Sequence, residues 1–255
     1  MTDLPSVSVA IPCHNYGRYL DEACASVFAQ DLAFLDMSIV DDGSTDDSWT
    51  RAEAIRDRDA RVRLVRHDEP VGAPGCFNAA VRATEGKLVV ILSADDRLAP
   101  NYLRTLATAI VSHGWDFAYP DVLLFGAEDR LVPAIPFDPA RLFFNNFITG
   151  STMFRREAFD GVGGFDASLG DLGHEDWDFW LRVVRRGFDG GPVSGAPLQW
   201  RRHEIGSRNT RSLRRYWRVR LAMWRRHWRV VPFGTKVSYL AGSNRRTVNR
   251  GQLSP

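Results

Sequence analysis

The chain has 255 residues, of which 44% are hydrophobic and 25% charged, and this is enough for one globular domain with a substantial core. No apolar run reaches the ~20 residues that a membrane-spanning helix needs. The first residues also lack the basic and apolar regions of a secretory signal, so we expect a cytoplasmic protein. The three cysteines are scattered and odd in number, which argues against a disulfide scaffold, and their spacing excludes a Cys-x-x-Cys metal knuckle.

The first half of the chain alternates between short apolar strands and amphipathic helices. In chain order we predict strands over 7–11, 37–40, 62–65 and 88–92, and helices over 19–30, 48–58, 74–84 and 100–112. Two of these helices begin at a proline, whose missing N–H does no harm in a first turn. The alternation predicts βαβ units, and therefore a Rossmann-like α/β fold with a mostly parallel central sheet flanked by helices.

Beyond residue 115 the pattern is less regular. We predict one or two strands over 115–125, an irregular loop over 129–146, a strand over 148–154, a helix over 175–186 and an extended segment over 198–201. The loop is long enough to form one wall of a second binding cleft.

Three polar segments directly follow predicted strands of the first half. They are residues 12–15 (Pro-Cys-His-Asn), 41–46 (Asp-Asp-Gly-Ser-Thr-Asp) and 93–96 (Ser-Ala-Asp-Asp). Ligands of open parallel sheets bind beyond the carboxyl ends of the strands, so these segments should line one site. Each alone is also explained by a turn or a helix cap. Together they favour a nucleotide site in which Asp96 binds a divalent cation, since Mg²⁺ and Mn²⁺ prefer carboxylate oxygens beside substrate phosphates.

Glu175 and Asp176 open the predicted helix over 175–186 and are the candidate proton acceptors. Three aromatic residues that follow within the next four positions would partly desolvate Asp176 and raise the pKa of its carboxyl toward working pH. The alternative is that both acids only complement the positive end of the helix dipole. Both interpretations stay open at this point.

The ordered set of motifs resembles the inverting glycosyltransferases of family 2, which have the A-type nucleotide-sugar-binding fold. The matching segments are 7–15, 39–46, 92–96, 149–151, 154–156, 162–166 and 175–182, and the resemblance covers roughly residues 5–210. It implies a catalytic domain at 1–205, with a nucleotide-binding half at 1–112 and an acceptor-binding half at 113–205. A basic helical extension would follow at 206–255.

The resemblance also implies a role for each matching residue. A nucleoside-diphosphate sugar, with UDP or dTDP as the expected nucleotide, would contact Pro12, His14, Asn15, Asp41, Asp42, Ser44 and Asp95. Asp96 would bind Mn²⁺ or Mg²⁺, with His203 as a further ligand. Asp176, with Glu175 beside it, would act as general base on a glycan or lipid-linked acceptor. The acceptor would be bound by Thr149, Gly150, Ser151 and Trp177.

The C-terminal region is strongly basic. No acidic residue follows Glu204, whereas 13 of the 33 Lys and Arg residues do. A helix predicted over 213–231 would carry one apolar stripe, formed by Leu213, Trp217, Leu221, Trp224, Trp228 and Val231. We consider packing on the acidic body or on a second subunit as in a homodimer, and binding to an anionic membrane surface at the inner leaflet. No nucleic-acid motif accompanies the charge, so we expect no nucleic-acid partner.

Three other functions are weighed against glycosyl transfer. A nucleotidyltransferase would need a Gly-rich basic phosphate loop after the first strand, and residues 12–17 do not form one. A dinucleotide-binding oxidoreductase would need G-x-G-x-x-G after a strand, which is missing. A non-catalytic nucleotide-sugar-binding protein would be unaffected by the substitution Asp176→Asn.

Overall fold

The computed structural model describes residues 4–203 and 213–229, within which the chain forms one mixed α/β structure. Its strands are β1 Val7–Cys13, β2 Asp36–Asp42, β3 Val62–His67, β4 Leu88–Ile91, β5 Arg97–Leu98, β6 Phe117–Gly126, β7 Arg130–Val132, β8 Met153–Arg155 and β9 Gly190–Arg202. Its α-helices are α1 Gly17–Phe28, α2 Ser48–Arg56, α3 Ala73–Arg82, α4 Tyr102–His113, α5 Pro139–Phe144, α6 Arg156–Val162, α7 Glu175–Arg185 and α8 Leu213–Arg226. A short 3₁₀ helix spans Ala167–Leu172.

The first four strands form the parallel half of the sheet, in the order β3-β2-β1-β4. Strand β1 lies in the middle, and its register aligns Val9 with Met37 on one side and with Val90 on the other. All of these side chains are buried because helices cover both faces of the sheet. The predicted α/β class and βαβ alternation are confirmed here. The carboxyl ends of β1, β2 and β4 consequently lie at one edge.

The second half of the sheet is mixed, which the prediction of a mostly parallel sheet did not anticipate. Strand β8 runs antiparallel to both β4 and β6, and so joins the two halves. Strand β9 is parallel to β6 and antiparallel to β5. The β4–β8 pairing brings the segment just before β8 close to the edge where the nucleotide motifs end.

Each face of the sheet carries its own apolar core. Helices α1, α2 and α4 pack on one face through side chains such as Leu20, Ile55 and Leu106. Helices α3, α5, α6 and α7 pack on the other face, where Trp180 is 1% exposed. Helix α7 is therefore anchored by its apolar side, and its amino end is held at the rim of the sheet.

In the second half one predicted element was wrong, and two were predicted with the wrong bounds. Residues 129–146 are not an irregular loop, since they contain β7 and α5. Helix α5 begins at Pro139 and is capped by Asp138, whose carboxylate accepts from the N–H of Ala140 at 2.8 Å. The strand predicted over 148–154 is only β8, because residues before Met153 form a turn in which Thr152 Oγ1 donates to the carbonyl of Thr149. The segment predicted over 198–201 is part of the 13-residue strand β9.

Strand β9 begins at glycines because it approaches β6 very closely. A Cβ at Gly190 would lie 2.2 Å from the carbonyl oxygen of Phe117 and 2.5 Å from its ring. Only glycine fits this position without moving a backbone. Glycine and proline are uncommon inside strands, and β9 contains several of both. This explains why the sequence predicts only the last part of β9 as extended.

Helix α8 packs on the body through only part of the predicted stripe: Trp224 packs against Phe144. The buried face of α8 consists of Val219, Met223 and the adjoining His227. Trp217, Leu221 and Trp228 are instead 50%, 53% and 50% exposed. The side chain of Leu213 and the whole of Val231 lie outside the described residues. None of the helices within 4–203 and 213–229 is long and apolar enough to cross a membrane.

The three cysteines are buried and form no disulfide bond. Burial raises the pKa of the Cys13 thiol to about 11, and it raises the pKa values of Cys24 and Cys76 further still. Since the thiolate is the reactive form, all three thiols are chemically quiet at neutral pH.

Candidate active site

The turn after β1 and the loop after β2 are tied together by side chains that the sequence pattern singled out. Asn15 has a left-handed backbone, with φ of 58°, and its N–H donates to Ser44 Oγ at 2.9 Å. Its side-chain oxygen accepts from the N–H of Thr45 at 2.8 Å. Nδ1 of His14 lies 2.6 Å from the carbonyl oxygen of Asp42. Together with Pro12 at the end of β1, these residues form one wall at the carboxyl edge.

Asp42 shapes the neighbouring loop. Its Oδ1 atom lies 2.7 Å from Nδ1 of His67 and accepts from the N–H of Val71 at 2.9 Å, and its Oδ2 atom accepts from the N–H of Gly72 at 3.0 Å. The side chain is 4% exposed. Both oxygens thus help to order residues 67–72, and the contact of Asp42 with a base or ribose stays a prediction.

Asp41, unlike Asp42, has a buried carboxylate without hydrogen-bond partners in the described chain. Its side chain is 1% exposed. Nε of Arg66 lies 3.5 Å from Oδ2 and partly compensates the charge. Buried acceptors without donors are rare in native proteins and call for a functional explanation. Asp41 is therefore a candidate to accept a hydrogen bond from an N–H or hydroxyl group of a ligand.

Asp95 and Asp96 point in different directions after β4. Asp96 is 4% exposed, and its Oδ1 atom accepts from the N–H of Arg201 in β9 at 2.9 Å. Burial, with a smaller effect of the neighbouring Asp95 charge, raises the pKa of the Asp96 carboxyl well above its usual value. Oδ2 of Asp95 instead lies 2.9 Å from Nε2 of His203. The predicted pair of Asp96 and His203 is not brought together, whereas Asp95 and His203 are.

His203 is positioned by the end of β9 and by two aromatic side chains of the α1 region. Its ring centroid lies 5.4 Å from that of Tyr19 and 6.1 Å from that of Tyr16. Nδ1 of His203 is 3.4 Å from the Tyr19 hydroxyl. Across residues 4–203 and 213–229, no cluster of three or more His, Cys, Asp or Glu side chains forms a metal site made of protein ligands alone. A cation at Asp95 and His203 would need further ligands from a phosphate group.

Asp176 lies at the start of α7 and is preceded by an unusual backbone. His174 has a left-handed φ of 64°, and such a conformation in a residue other than glycine costs about 1–3 kcal/mol and concentrates at functional sites. Oδ2 of Asp176 accepts from Nδ2 of Asn146 at 2.9 Å, and Oδ1 accepts from the N–H of Trp177 at 2.8 Å. Burial raises the pKa of the Asp176 carboxyl, and these two hydrogen bonds offset part of the increase. Glu175 precedes it in the first turn of α7.

A cleft lies between β6, β7 and α5. It is lined by Pro120, Val122, Val132, Pro133, Ala134, Ile135, Arg141, Asn145, Phe147 and Thr149. Thr149 thus lines the cleft, and its Oγ1 atom is buried without a hydrogen-bond partner in the described chain. Its contact with an acceptor stays a prediction. Gly150 follows Thr149, and a Cβ there would meet no atom within 4 Å. Ser151 is 4% exposed, and its carbonyl accepts from the hydroxyl of Tyr102.

Trp177 differs from its predicted role in acceptor binding. Its side chain is 3% exposed, and its indole N–H donates to the carbonyl of Leu142 at 2.7 Å. The Trp177 ring therefore packs α7 against α5. This contact holds the start of α7, where Asp176 lies.

Several residues of the site are not apparent from the sequence. Asn146 has no signal because an asparagine in an apparent loop is usually only a turn residue. His67 and Arg201 lie at the ends of β3 and β9, and the sequence pattern there indicates extended backbone but no function for either side chain. Their partners become visible once strand register places Asp42 beside His67 and the end of β9 beside β5.

Comparison with known proteins agrees with the sequence motifs. The family model for glycosyl transferase family 2 matches residues 8–164, and a model described as the N-terminal domain of galactosyltransferase matches residues 133–208. Because the first match covers more than half of the chain, the protein belongs to glycosyl transferase family 2.

Curated relatives match over limited lengths. Glycosyltransferase GlyG of Streptococcus pneumoniae serotype 4 is 32% identical over 39% of this chain and 33% of its own length. The succinoglycan biosynthesis protein ExoU of Rhizobium meliloti is 32% identical over 48% of this chain and 34% of its own length. The chain thus spans about a third of the length of these two relatives.

Solved structures confirm the fold. Residues 1–349 of TarS from S. aureus, in complex with UDP, align with a TM-score of 0.74 at 17% identity, over 96% of this chain and 74% of that one. The complex of the same protein with UDP-GlcNAc gives a TM-score of 0.70 at 18% identity, over 82% of this chain and 62% of that one. The A-type glycosyltransferase architecture expected from the sequence is therefore the architecture of this chain.

Proposed function

We propose that the protein is an inverting glycosyltransferase that moves a sugar from a nucleoside-diphosphate sugar to an acceptor hydroxyl. The arrangement of Asp176 carries this proposal, because a part-buried carboxylate with a raised pKa is a suitable general base. Its hydrogen-bond partner Asn146 directly follows Asn145, which lines the cleft. Asp176 would remove the proton of the acceptor hydroxyl while the oxygen attacks the anomeric carbon and the nucleoside diphosphate departs. Asn146 holds the carboxylate in place.

The carboxyl edge of β1, β2 and β4 would bind the nucleotide sugar, in keeping with the nucleotide-binding half at 1–112. Pro12, His14, Asn15 and Ser44 form its wall, and the unpaired oxygens of Asp41 suit an N–H of a pyrimidine base or a ribose hydroxyl. The UDP and UDP-GlcNAc complexes of the structurally similar TarS support UDP, with dTDP as the other candidate.

Asp95 and His203 fit a divalent cation better than the predicted Asp96. A carboxylate oxygen and an imidazole nitrogen 2.9 Å apart are suitable ligands for Mn²⁺, and diphosphate oxygens would complete the set. Asp96 is more deeply buried, and its Oδ1 atom accepts from the N–H of Arg201. A cation bound there would neutralise the negative charge that develops on the departing diphosphate. The tyrosines beside His203 orient its ring.

The acceptor would be a glycan or a lipid-linked glycan. The cleft at Thr149 and Arg141 combines an apolar lining with a few polar groups, which suits the faces of a sugar ring. The name of ExoU, a succinoglycan biosynthesis protein, supports a polysaccharide product.

We further propose that the protein acts at an anionic membrane surface. Trp217, Leu221 and Trp228 are about half exposed along α8, and Arg218 and Arg225 are exposed beside them. A helix with aromatic and basic side chains on one exposed side is suited to the headgroup region of a bilayer. Helix α8 contacts α5, which also lines the acceptor cleft, so a lipid-linked acceptor could reach the site along this surface.

Calorimetric titration with UDP, dTDP, GDP and their sugars, with and without Mn²⁺, tests the proposal. We expect one nucleotide to bind more tightly when Mn²⁺ is present. The substitution Asp95→Asn should remove this enhancement, because it weakens a cation ligand, whereas Asp160→Asn at an exposed position of α6 should not. A folded protein that binds no member of the panel would contradict the proposed function.

A further inference from the structure

Helix α8 contacts both elements that hold the catalytic base. It packs against α7, which carries Asp176, and against the end of α5, which leads into Asn146. The hydrogen bond between Asn146 and Asp176 joins these two elements at 2.9 Å. The relative position of α5 and α7 therefore decides whether this bond can form.

The contact with α7 is a buried charged cluster around Asp178. Nε2 of His227 and Nε of Arg226 lie 2.8 Å and 2.9 Å from Oδ1 of Asp178, and Arg182 donates to Oδ2 at 2.7 Å. Asp178 and His227 are 0% and 2% exposed. Burial alone would raise the pKa of the Asp178 carboxyl, but the hydrogen bonds from His227 and Arg182 outweigh it and lower the pKa.

An ionised carboxylate in such a place must keep its partners, because removing one leaves an uncompensated buried charge. Asp178 is two residues after Asp176, within the first turn of α7. The cluster therefore fixes the turn that carries the base.

The contact with α5 uses side-chain donors of α8. Nη2 of Arg220 donates to the carbonyl of Phe144 and lies 3.3 Å from Oδ1 of Asn145. Nε1 of Trp224 donates to the carbonyl of Phe143 at 3.1 Å. The last carbonyls of a helix have no partner within the helix, so α8 supplies donors that α5 lacks. These bonds hold the backbone immediately before Asn146.

We propose that α8 is a positioning element of the active site, in which His227 and Arg220 fix α7 and the end of α5 relative to each other and so keep Asn146 bonded to Asp176. The inference rests on the proposed function, in which Asp176 is the general base. Neither side chain touches the reacting atoms. Both act through other residues, His227 through Asp178 and Arg220 through residues 144–146.

Steady-state kinetics of four variants test this proposal. Arg220→Met and His227→Leu keep the apolar bulk and lose the donors, so we expect kcat to fall between about 10- and 100-fold, as for a small misplacement of a catalytic group. The Kd of the nucleotide sugar, measured by calorimetry, should stay unchanged because the nucleotide edge is untouched. His227→Gln keeps a nitrogen donor and should restore most of kcat. Arg185→Met, at an exposed position of α7, is the matched control and should match the wild type.

Wild-type kcat in both Arg220→Met and His227→Leu would overturn the proposal. An equal loss in Arg185→Met, or a parallel loss of nucleotide affinity, would also overturn it, since either result marks a general structural role. Arg220 is only part-buried, so Arg220→Met keeps the test valid if His227→Leu does not fold. Asp176→Asn is measured in parallel: full activity in that variant would contradict the proposed function itself, independently of the α8 variants.

Discussion

At the scale of single residues, the raised pKa of Asp176 links catalysis to stability. A general base must be ionised, so we expect kcat to rise with pH through the raised pKa and then to level off. Stability should change in the opposite direction. A carboxyl whose pKa is higher in the folded than in the unfolded state contributes stability that is present below the unfolded pKa and is lost as pH rises through the folded pKa.

The variant Asp176→Asn should therefore lower kcat by about 10²- to 10⁴-fold and remove this part of the pH dependence of the melting temperature. Rate profiles and thermal melts between acid and neutral pH measure both effects. Asp160→Asn replaces an exposed carboxyl on α6 and serves as the control. A melting curve with the same pH dependence in the wild type and in Asp176→Asn would contradict the assigned pKa shift.

The sequence identifies the acidic residues of the site better than it identifies their orientation. Asp41, Asp95 and Asp176 follow from motifs at strand ends and at a helix start. Which of two adjacent aspartates faces a ligand depends on the turn after the strand, and no periodicity extends through a turn. The pairing of Asp95 with His203 and the burial of Asp96 against β9 thus required the fold.

At the scale of elements, the close approach of β9 to β6 leaves no room for a side chain at Gly190. We expect Gly190→Ala to lower the free energy of unfolding by about 1–3 kcal/mol, because a Cβ 2.2 Å from the carbonyl oxygen of Phe117 forces the two strands apart. Chemical denaturation measures the loss. Gly150→Ala is the control, since a Cβ there meets no atom within 4 Å. Equal stability of Gly190→Ala and the wild type would show that the strands can separate without penalty.

The parallel half of the sheet was predictable, while the mixed half was only partly so. Strand β4 is a continuous apolar run, and β1 and β2 are short, mainly apolar segments that alternate with helices, which is a strong signal. Strand β9 contains glycines and prolines that long-range pairing overrides, and α5 is only six residues long. Its capping residue, Asp138 before Pro139, is a helix-start signal that the sequence does contain.

At the scale of the whole molecule, the exposed side of α8 predicts binding to anionic vesicles. Cosedimentation with vesicles rich in phosphatidylglycerol should show binding that weakens with salt, because arginines contribute. The double substitution Trp217→Ser and Leu221→Ser should lower the partition constant about tenfold or more, since two half-exposed apolar side chains are lost.

The matched control is the double substitution Phe28→Ser and Leu35→Ser, which removes exposed apolar side chains outside α8. Unchanged partitioning of the α8 variant would contradict the membrane proposal. Conversion of a dimer to a monomer by the same variant, measured by sedimentation, would favour the homodimer instead.

The quiet cysteines make the protein a convenient subject for site-specific labelling. Cys13, Cys24 and Cys76 are buried, and their thiols have raised pKa values, so maleimide or spin-label reagents should leave them unmodified under native conditions. A single cysteine introduced on the exposed side of α8 would then carry the only probe, without prior removal of native thiols. Fluorescence or electron paramagnetic resonance could follow that helix directly while nucleotide, acceptor or lipid is added.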